Sequence, residues 1–172
     1  MKYLIFTALI VSLAACAPLS MQVGEERVRR PYSVDRNFIE SVTATPAHVT
    51  AWYSNTTQKT YTQQHGTQIS HLAADGRTYL VYPGNQFVLV GEWQARATPE
   101  RRQICYRYPT ARAEPDVTYD ENGWRCDPAR LSVFMTDQIV DGDPLGLANM
   151  TILPVQIEPN DDVTTEEYAE DL

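Results

Sequence analysis

The sequence predicts a mainly β protein: an antiparallel meander or small partly open barrel, with one short N-terminal helix packed on it. Three observations carry that expectation. Asp75-Gly76 separates two apolar-patterned runs, Gln68–Ala73 and Thr78–Tyr82. Asp-Gly in that setting is the strongest short hairpin signal, because a type I′ turn needs φ > 0 at both central residues. Pro83-Gly84-Asn85 marks the next reversal, before the long run Gln86–Arg96. Arg102–Tyr108 then alternates, with Ile104, Tyr106 and Tyr108 against Cys105 and Arg107, as a half-exposed strand does.

The chain opens with Lys2, the apolar run Tyr3–Ala15, and small residues before Cys16. That order is a secretory signal, assigned to residues 1–15. Its 13 apolar-biased residues fall short of the roughly 20 that a transmembrane helix needs. Leu13-Ala14-Ala15-Cys16 resembles the bacterial lipobox. The resemblance implies a diacylglycerol on the Cys16 thiol and, after cleavage, a third acyl chain such as palmitate on its freed amine. One chain binds marginally, at about 0.8 kcal/mol per buried methylene, so several give a lasting anchor. Read without the resemblance, small residues there also suit ordinary signal-peptidase cleavage near Ala15. Ala17 follows, and a non-aspartate at that place implies export to the outer membrane in the lipoproteins it resembles.

Residues 16–35 read as the lipidated Cys and a flexible tether, with Pro18, Gly24 and the charge run Glu25–Arg30 but no periodicity. The fifteen residues Ala17–Pro31 of this tether reach about 20 Å by random-coil scaling. Residues 36–157 make one β-rich domain. Asp35 begins a short turn carrying Phe38, Ile39 and Val42. Thr45 is an N-cap with Pro46 at the first helical position, and Val49, Trp52 and Tyr53 form an apolar stripe fading by Ser54-Asn55. Thr78–Tyr82 and Phe87–Val90 are apolar on both alternating faces, which marks central strands covered above and below. Thr110–Asn122 is a polar loop, and Trp124–Cys126 returns the chain to the domain. Leu131–Met135 and Gln138–Val140 read as a further hairpin, closed by Asp141-Gly142-Asp143-Pro144. Ile152–Ile157 reads as an edge strand, because Pro154 disfavours a central place. Residues 158–172 are acidic and aperiodic, and are expected to form a disordered tail.

Charge narrows the partners. The chain has 14 basic and 22 acidic residues, and no Lys or Arg follows Arg130 while ten acids do, from Asp137 to Asp171. A nucleic-acid partner is excluded, since it would need a broad basic face. The cationic cluster is Arg96, Arg101, Arg102, Arg107 and Arg112, relieved by Glu100, and reads as a solvated strand face and loop, with a contact to phosphate or anionic lipid headgroups as the lesser reading. The expected partners are the membrane, through the N-terminal lipid, and an envelope protein.

Val49–Thr56, Asp75-Gly76, Gly91-Glu92-Trp93 and Cys105 together resemble a family of small, uncharacterised secreted proteobacterial proteins. The pattern is a short helix, a strand, an Asp-Gly turn, a Gly-x-Trp strand and a Cys with a second Cys downstream. It covers residues 46 to 126 and departs at Thr110–Asn122 and after Leu131. The resemblance implies fold and export; it carries no activity.

Lipidation at Cys16 leaves Cys105 and Cys126 in an oxidising compartment, the arithmetic of one bridge. The family resemblance points the same way, while free thiols or a metal remain the alternatives. Trp124 would then cover the apolar face of Ile104 and Tyr106. Gly91 allows close backbone approach and Trp93 anchors its strand. His48, His65 and His71 make no metal-binding helix pair, and Asp137, Asp141 and Asp143 lack the order of a calcium loop, so no cofactor is implied. The function expected is an envelope lipoprotein acting as a non-catalytic binding or scaffolding module. The alternatives are a periplasmic protease inhibitor, pairing a Gly-x-Trp strand with a nearby disulfide, or a cell-envelope hydrolase using His71 with Asp75 or Glu92.

Overall fold

The computed structural model describes residues 35–111, 117–160, 163–170 and 172. The expected signal peptide, Cys16, the tether to residue 34 and Arg112 lie outside them. Seven strands form one antiparallel sheet curled into a half-barrel: β1 (Thr56–Thr62), β2 (Gly66–Leu72), β3 (Arg77–Tyr82), β4 (Asn85–Ala97), β5 (Arg102–Arg107), β6 (Arg125–Pro128) and β7 (Thr136–Asp141). Their order is β6-β5-β4-β3-β2-β1-β7, so six strands meander and β7 returns to the far side of β1. Among the described residues four short α-helices stand where one was expected: α1 (Arg36–Val42), α2 (Pro46–Tyr53), α3 (Ala129–Met135) and α4 (Thr165–Glu170). Among the described residues no helix is long and apolar enough to cross a membrane.

Local chemistry explains the regular parts. Asp35 caps α1 by accepting from Asn37 N at 3.1 Å, and Thr45 caps α2 by accepting from His48 N at 3.2 Å. The Asp75-Gly76 hairpin differs from the expected type I′ turn. Gly76 has φ 87° and Asp75 does not have positive φ. Ala73 N donates to Arg77 O at 2.9 Å, and Gly76 N to Ala73 O at 3.1 Å. A three-residue loop with glycine in the left-handed position satisfies the strand twist as well as the two-residue turn does.

Four parts depart from the sequence reading. β1, Thr-Thr-Gln-Lys-Thr-Tyr-Thr, is a central strand with Thr56, Thr57, Gln58 and Lys59 buried, although it carries almost no apolar signal. Leu131–Met135 belongs to helix α3 rather than a strand: Ala129 and Val133 bury at i, i+4 spacing, leaving β7 alone of the expected hairpin. Ile152–Ile157 is not a strand: it makes a single bridge, Phe87↔Ile152, held by Val88 N donating to Thr151 O at 2.9 Å and Leu153 N to Gln86 O at 2.8 Å. The tail is not structureless. Thr164 and Glu167 form a capping box at the start of α4: Thr164 N donates to Glu167 Oε2 at 2.6 Å, and Glu167 N to Thr164 Oγ1 at 3.2 Å. Tyr168 is then buried, with its hydroxyl accepting from Glu158 N at 2.8 Å.

Period-two alternation sends side chains to two separate cores. Leu72, Trp93, Ile104 and Ile139 meet Ile39, Val42, Val49, Trp52, Tyr53 and Val133 of the helix layer. Phe38 meets Trp52 edge to face, with centroids 5.1 Å apart. On the opposite face Ile69, Tyr79, Val81 and Val88 are covered by Leu145, Leu147, Leu153, Ile157 and Tyr168. The expectation of a strand covered above and below holds for Thr78–Tyr82, where Thr78, Tyr79 and Val81 are buried, and fails for Phe87–Val90, where Val88 is buried but Phe87 and Val90 are exposed.

Candidate functional site

The Gly-x-Trp strand and the Asp-Gly turn, far apart in sequence, come together. Trp93 N donates to Gly76 O at 2.8 Å, and its indole Nε1 donates to Ala73 O at 2.9 Å. Asp75 stiffens the same turn from outside, accepting from Arg77 N at 3.0 Å and from Arg77 Nε at 2.7 Å. The Arg77 guanidinium holds the Asp75 carboxyl below its ordinary range. Gly91 lies under the Tyr108 ring. A Cβ there would stand 2.5 Å from both Arg107 O and Tyr108 Cδ1, so only glycine fits. Tyr108 reaches across it to place its hydroxyl 3.3 Å from Thr78 Oγ1. Burial pushes the Tyr108 phenol up to about 12, and raises Tyr106, which accepts from Gln58 Nε2 at 3.1 Å, well above the ordinary value. These tyrosines stay neutral and act as hydrogen-bonding struts.

Cys105 and Cys126 face one another across β5 and β6 and are bonded, with Cα atoms 4.0 Å apart. Trp124 does not cover Ile104 and Tyr106. The register sets Arg125 opposite Tyr106, so residue 124 falls on the other face of the sheet. There the indole meets two guanidinium groups, Arg96 at 4.8 Å and Arg107 at 4.9 Å from a ring centroid. Both cations are also met by acids: Arg96 by Asp120 at 2.8 Å, Arg107 by Glu92. Asp120 in addition accepts from Trp124 N and Asn122 N, each at 2.9 Å, and its pKa is lowered first by the Trp124 donor, then by Arg96, and less by Asn122. Phosphate or another anion would have to displace two carboxylates here. Of the expected cationic cluster, Arg96 and Arg107 belong to this stack, and Arg101 and Arg102 are exposed.

The proposed catalytic groups are occupied separately. His71 is buried on β2, its Nδ1 3.3 Å from Thr57 Oγ1 and 3.2 Å from the Thr56 carbonyl, with its ring stacked on Tyr79. Asp75 is bound to Arg77 in the turn, and Glu92 to Arg107 two strands from His71. His48 is exposed beside Thr45, and His65 sits at the β1–β2 turn. Asp143 caps a 3₁₀ turn, Leu147–Asn149, accepting from Leu147 N at 2.9 Å and Ala148 N at 2.8 Å. Among the described residues no cluster of His, Cys, Asp or Glu could hold a metal ion.

The polar groups that sequence reasoning missed lie on β1 and β7. Lys59 Nζ donates to Val163 O at 3.1 Å. Gln138 Oε1 accepts from both Thr165 N and Thr165 Oγ1 at 2.9 Å. These contacts clamp the C-terminal segment onto the sheet, and the Thr164-x-x-Glu167 box was the one local signal of them. A shallow groove of about 360 Å³ opens between the β3–β4 turn and the chain around Val155, lined by Tyr82, Phe87, Gln156 and Ile157 and by no ionisable side chain except Tyr82. No family model, no curated protein and no solved structure matches this chain.

Proposed function

We propose that the chain is an envelope-anchored lipoprotein, facing the periplasm from the outer membrane, whose domain is a non-catalytic binding or scaffolding module. The observation that carries the second half is the separate occupation of His71, Asp75 and Glu92, each committed to holding the fold. A hydrolase needs an acid or base free to meet substrate and a partner within hydrogen-bond reach. The first half is supported by Leu13-Ala14-Ala15-Cys16 after a short apolar run. A periplasmic protease inhibitor is a second reading, favoured by the pairing of β4, which carries Gly91 and Trp93, with β5, which carries Cys105.

Labelling cells with palmitate tests the anchor. The wild-type chain should take up label and fractionate with membranes, and Cys16→Ser should abolish both. Full solubility without label would refute it. Co-purification from solubilised envelopes tests the module: a stoichiometric envelope protein is expected. Turnover of a cell-wall substrate that His71→Gln abolishes would refute the module. Capture of a protease in its inhibited form would favour the second reading.

A further inference from the structure

We propose that the groove between the β3–β4 turn and residues 155–157 binds a neutral saccharide. The inference rests on the binding-module reading and names the ligand class of that module. The groove measures about 360 Å³, at the small end of ligand sites. Both of its walls are fixed by the fold. Tyr82 pairs with Asn85 across the turn, which Gly84 closes with φ 77°. The opposite wall is tied to β4 by the bonds from Val88 N to Thr151 O and from Leu153 N to Gln86 O, and Ile157 is buried beside Leu153 and Tyr168. The two walls meet at Gly66, where a Cβ would stand 3.0 Å from Pro159 O and 3.2 Å from Pro83 Cγ. The site therefore exists before any ligand arrives.

Its chemistry selects the ligand. Asn85 Oδ1 accepts from Phe87 N at 3.1 Å, which leaves its Nδ2 hydrogens unused. The exposed carboxamides of Gln86 and Gln156 and the Tyr82 hydroxyl make no hydrogen bond among the described residues. Beside them Phe87 is 58% exposed and offers an aromatic ring. An ionic ligand meets no counter-charge here, since the lining holds no charged side chain. A peptide adding as a strand needs the backbone groups of Gln86 and Val88, which Leu153 and Thr151 already hold. A wholly apolar ligand would strip water from the carboxamides and the phenol without replacing their hydrogen bonds. A sugar satisfies both halves of the lining. Its hydroxyls donate and accept as carboxamides do, and its polarised C–H face suits the negative face of an aromatic ring.

Saturation-transfer NMR on the full chain in a sugar-free detergent tests this. Tri-N-acetylchitotriose and maltotriose are the neutral probes, and trigalacturonate is the charged one. Transfer to the ring protons of a neutral probe is expected at millimolar concentration, with none to trigalacturonate. Phe87→Ala should weaken the apparent affinity about fivefold by removing the ring. Gln86→Ala with Gln156→Ala should weaken it about fivefold by removing two amides. These side chains are exposed, so both variants should keep the wild-type thermal midpoint, and Leu131→Asn on α3 should leave binding unchanged. The inference is overturned by no transfer to either neutral probe, by equal transfer to trigalacturonate, or by binding that both groove variants preserve. An envelope protein that co-purifies while the neutral probes fail overturns this inference alone and leaves the module standing. Release of a shorter sugar from a probe in the same tube overturns the module as well.

Discussion

Replacing Gly91 by Ala tests whether the Tyr108 ring is the reason for the glycine. The added Cβ would lie 2.5 Å from Arg107 O, 2.5 Å from Tyr108 Cδ1 and 2.8 Å from Tyr108 Cε1, all well inside van der Waals contact. The carbonyl is backbone next to the Glu92↔Arg107 pair and yields only by opening the β4–β5 ladder. Overpacking of this kind costs about 1–3 kcal/mol, and a backbone obstacle belongs in the upper half of that range. Restricting the unfolded chain returns about 0.5 kcal/mol, so the net loss should be about 2 kcal/mol. At about 4 °C per kcal/mol for a domain of this size, the midpoint should fall by about 8 °C. A double-mutant cycle with Tyr108→Ala isolates the ring. Removing it relieves one obstacle and leaves Arg107 O, so the two substitutions should couple favourably by about 1 kcal/mol. Urea denaturation of the four proteins measures this. A Gly91→Ala midpoint within error of wild type, or strict additivity, would refute the close approach.

The C-terminal segment should contribute to stability: truncation after Asn160 removes the Lys59, Gln138 and Tyr168 contacts and should cost about 2–4 kcal/mol by thermal melting. Reduction of Cys105–Cys126, which closes a 21-residue separation, should cost about 3 kcal/mol in the chain-entropy model, and alkylation before and after reductant checks the pairing. The raised pKa values of Tyr106 and Tyr108 make an alkaline prediction. A folded pKa above the unfolded one stabilises fully below the unfolded value, near 10, and that contribution is lost as pH rises through the folded values. Absorbance at alkaline pH should therefore show two tyrosines ionising late, together with unfolding; ionisation of every tyrosine near pH 10 in a folded protein would contradict it.

Strands β2 to β5 were legible because their runs are rich in β-branched and aromatic residues and the turns between β2, β3 and β4 carry Asp-Gly and Pro-Gly, although Phe87 and Val90 of β4 are exposed rather than covered. β1 was not. Its inward groups are satisfied by partners that no local window contains, Gln58 by Tyr106 and Lys59 by Val163. The run Leu131–Met135 has the residues of a strand and the spacing of a helix, and the buried pair Ala129 and Val133 decides between them. Trp124 was misplaced by a single position, because one residue of register moves a side chain through the sheet. The disulfide needed only a count of thiols. The occupation of His71 needed the β1–β2 register, which places it opposite Thr57.

That register has a consequence for how the chain folds. β1 sits between β2, its hairpin neighbour, and β7, and Thr57 Oγ1 reaches Gly142 O across 85 residues of sequence. A chain that emerges from its N-terminal end can form β1 to β6 as local hairpins within microseconds to milliseconds. Until β7 arrives, however, β1 presents an unpaired edge, the feature that invites pairing with another chain. Its threonines, glutamine and lysine are poor material for apolar association. The polar sequence that hid this strand from pattern reading thus also protects the half-formed sheet from its own copies during the slowest closure.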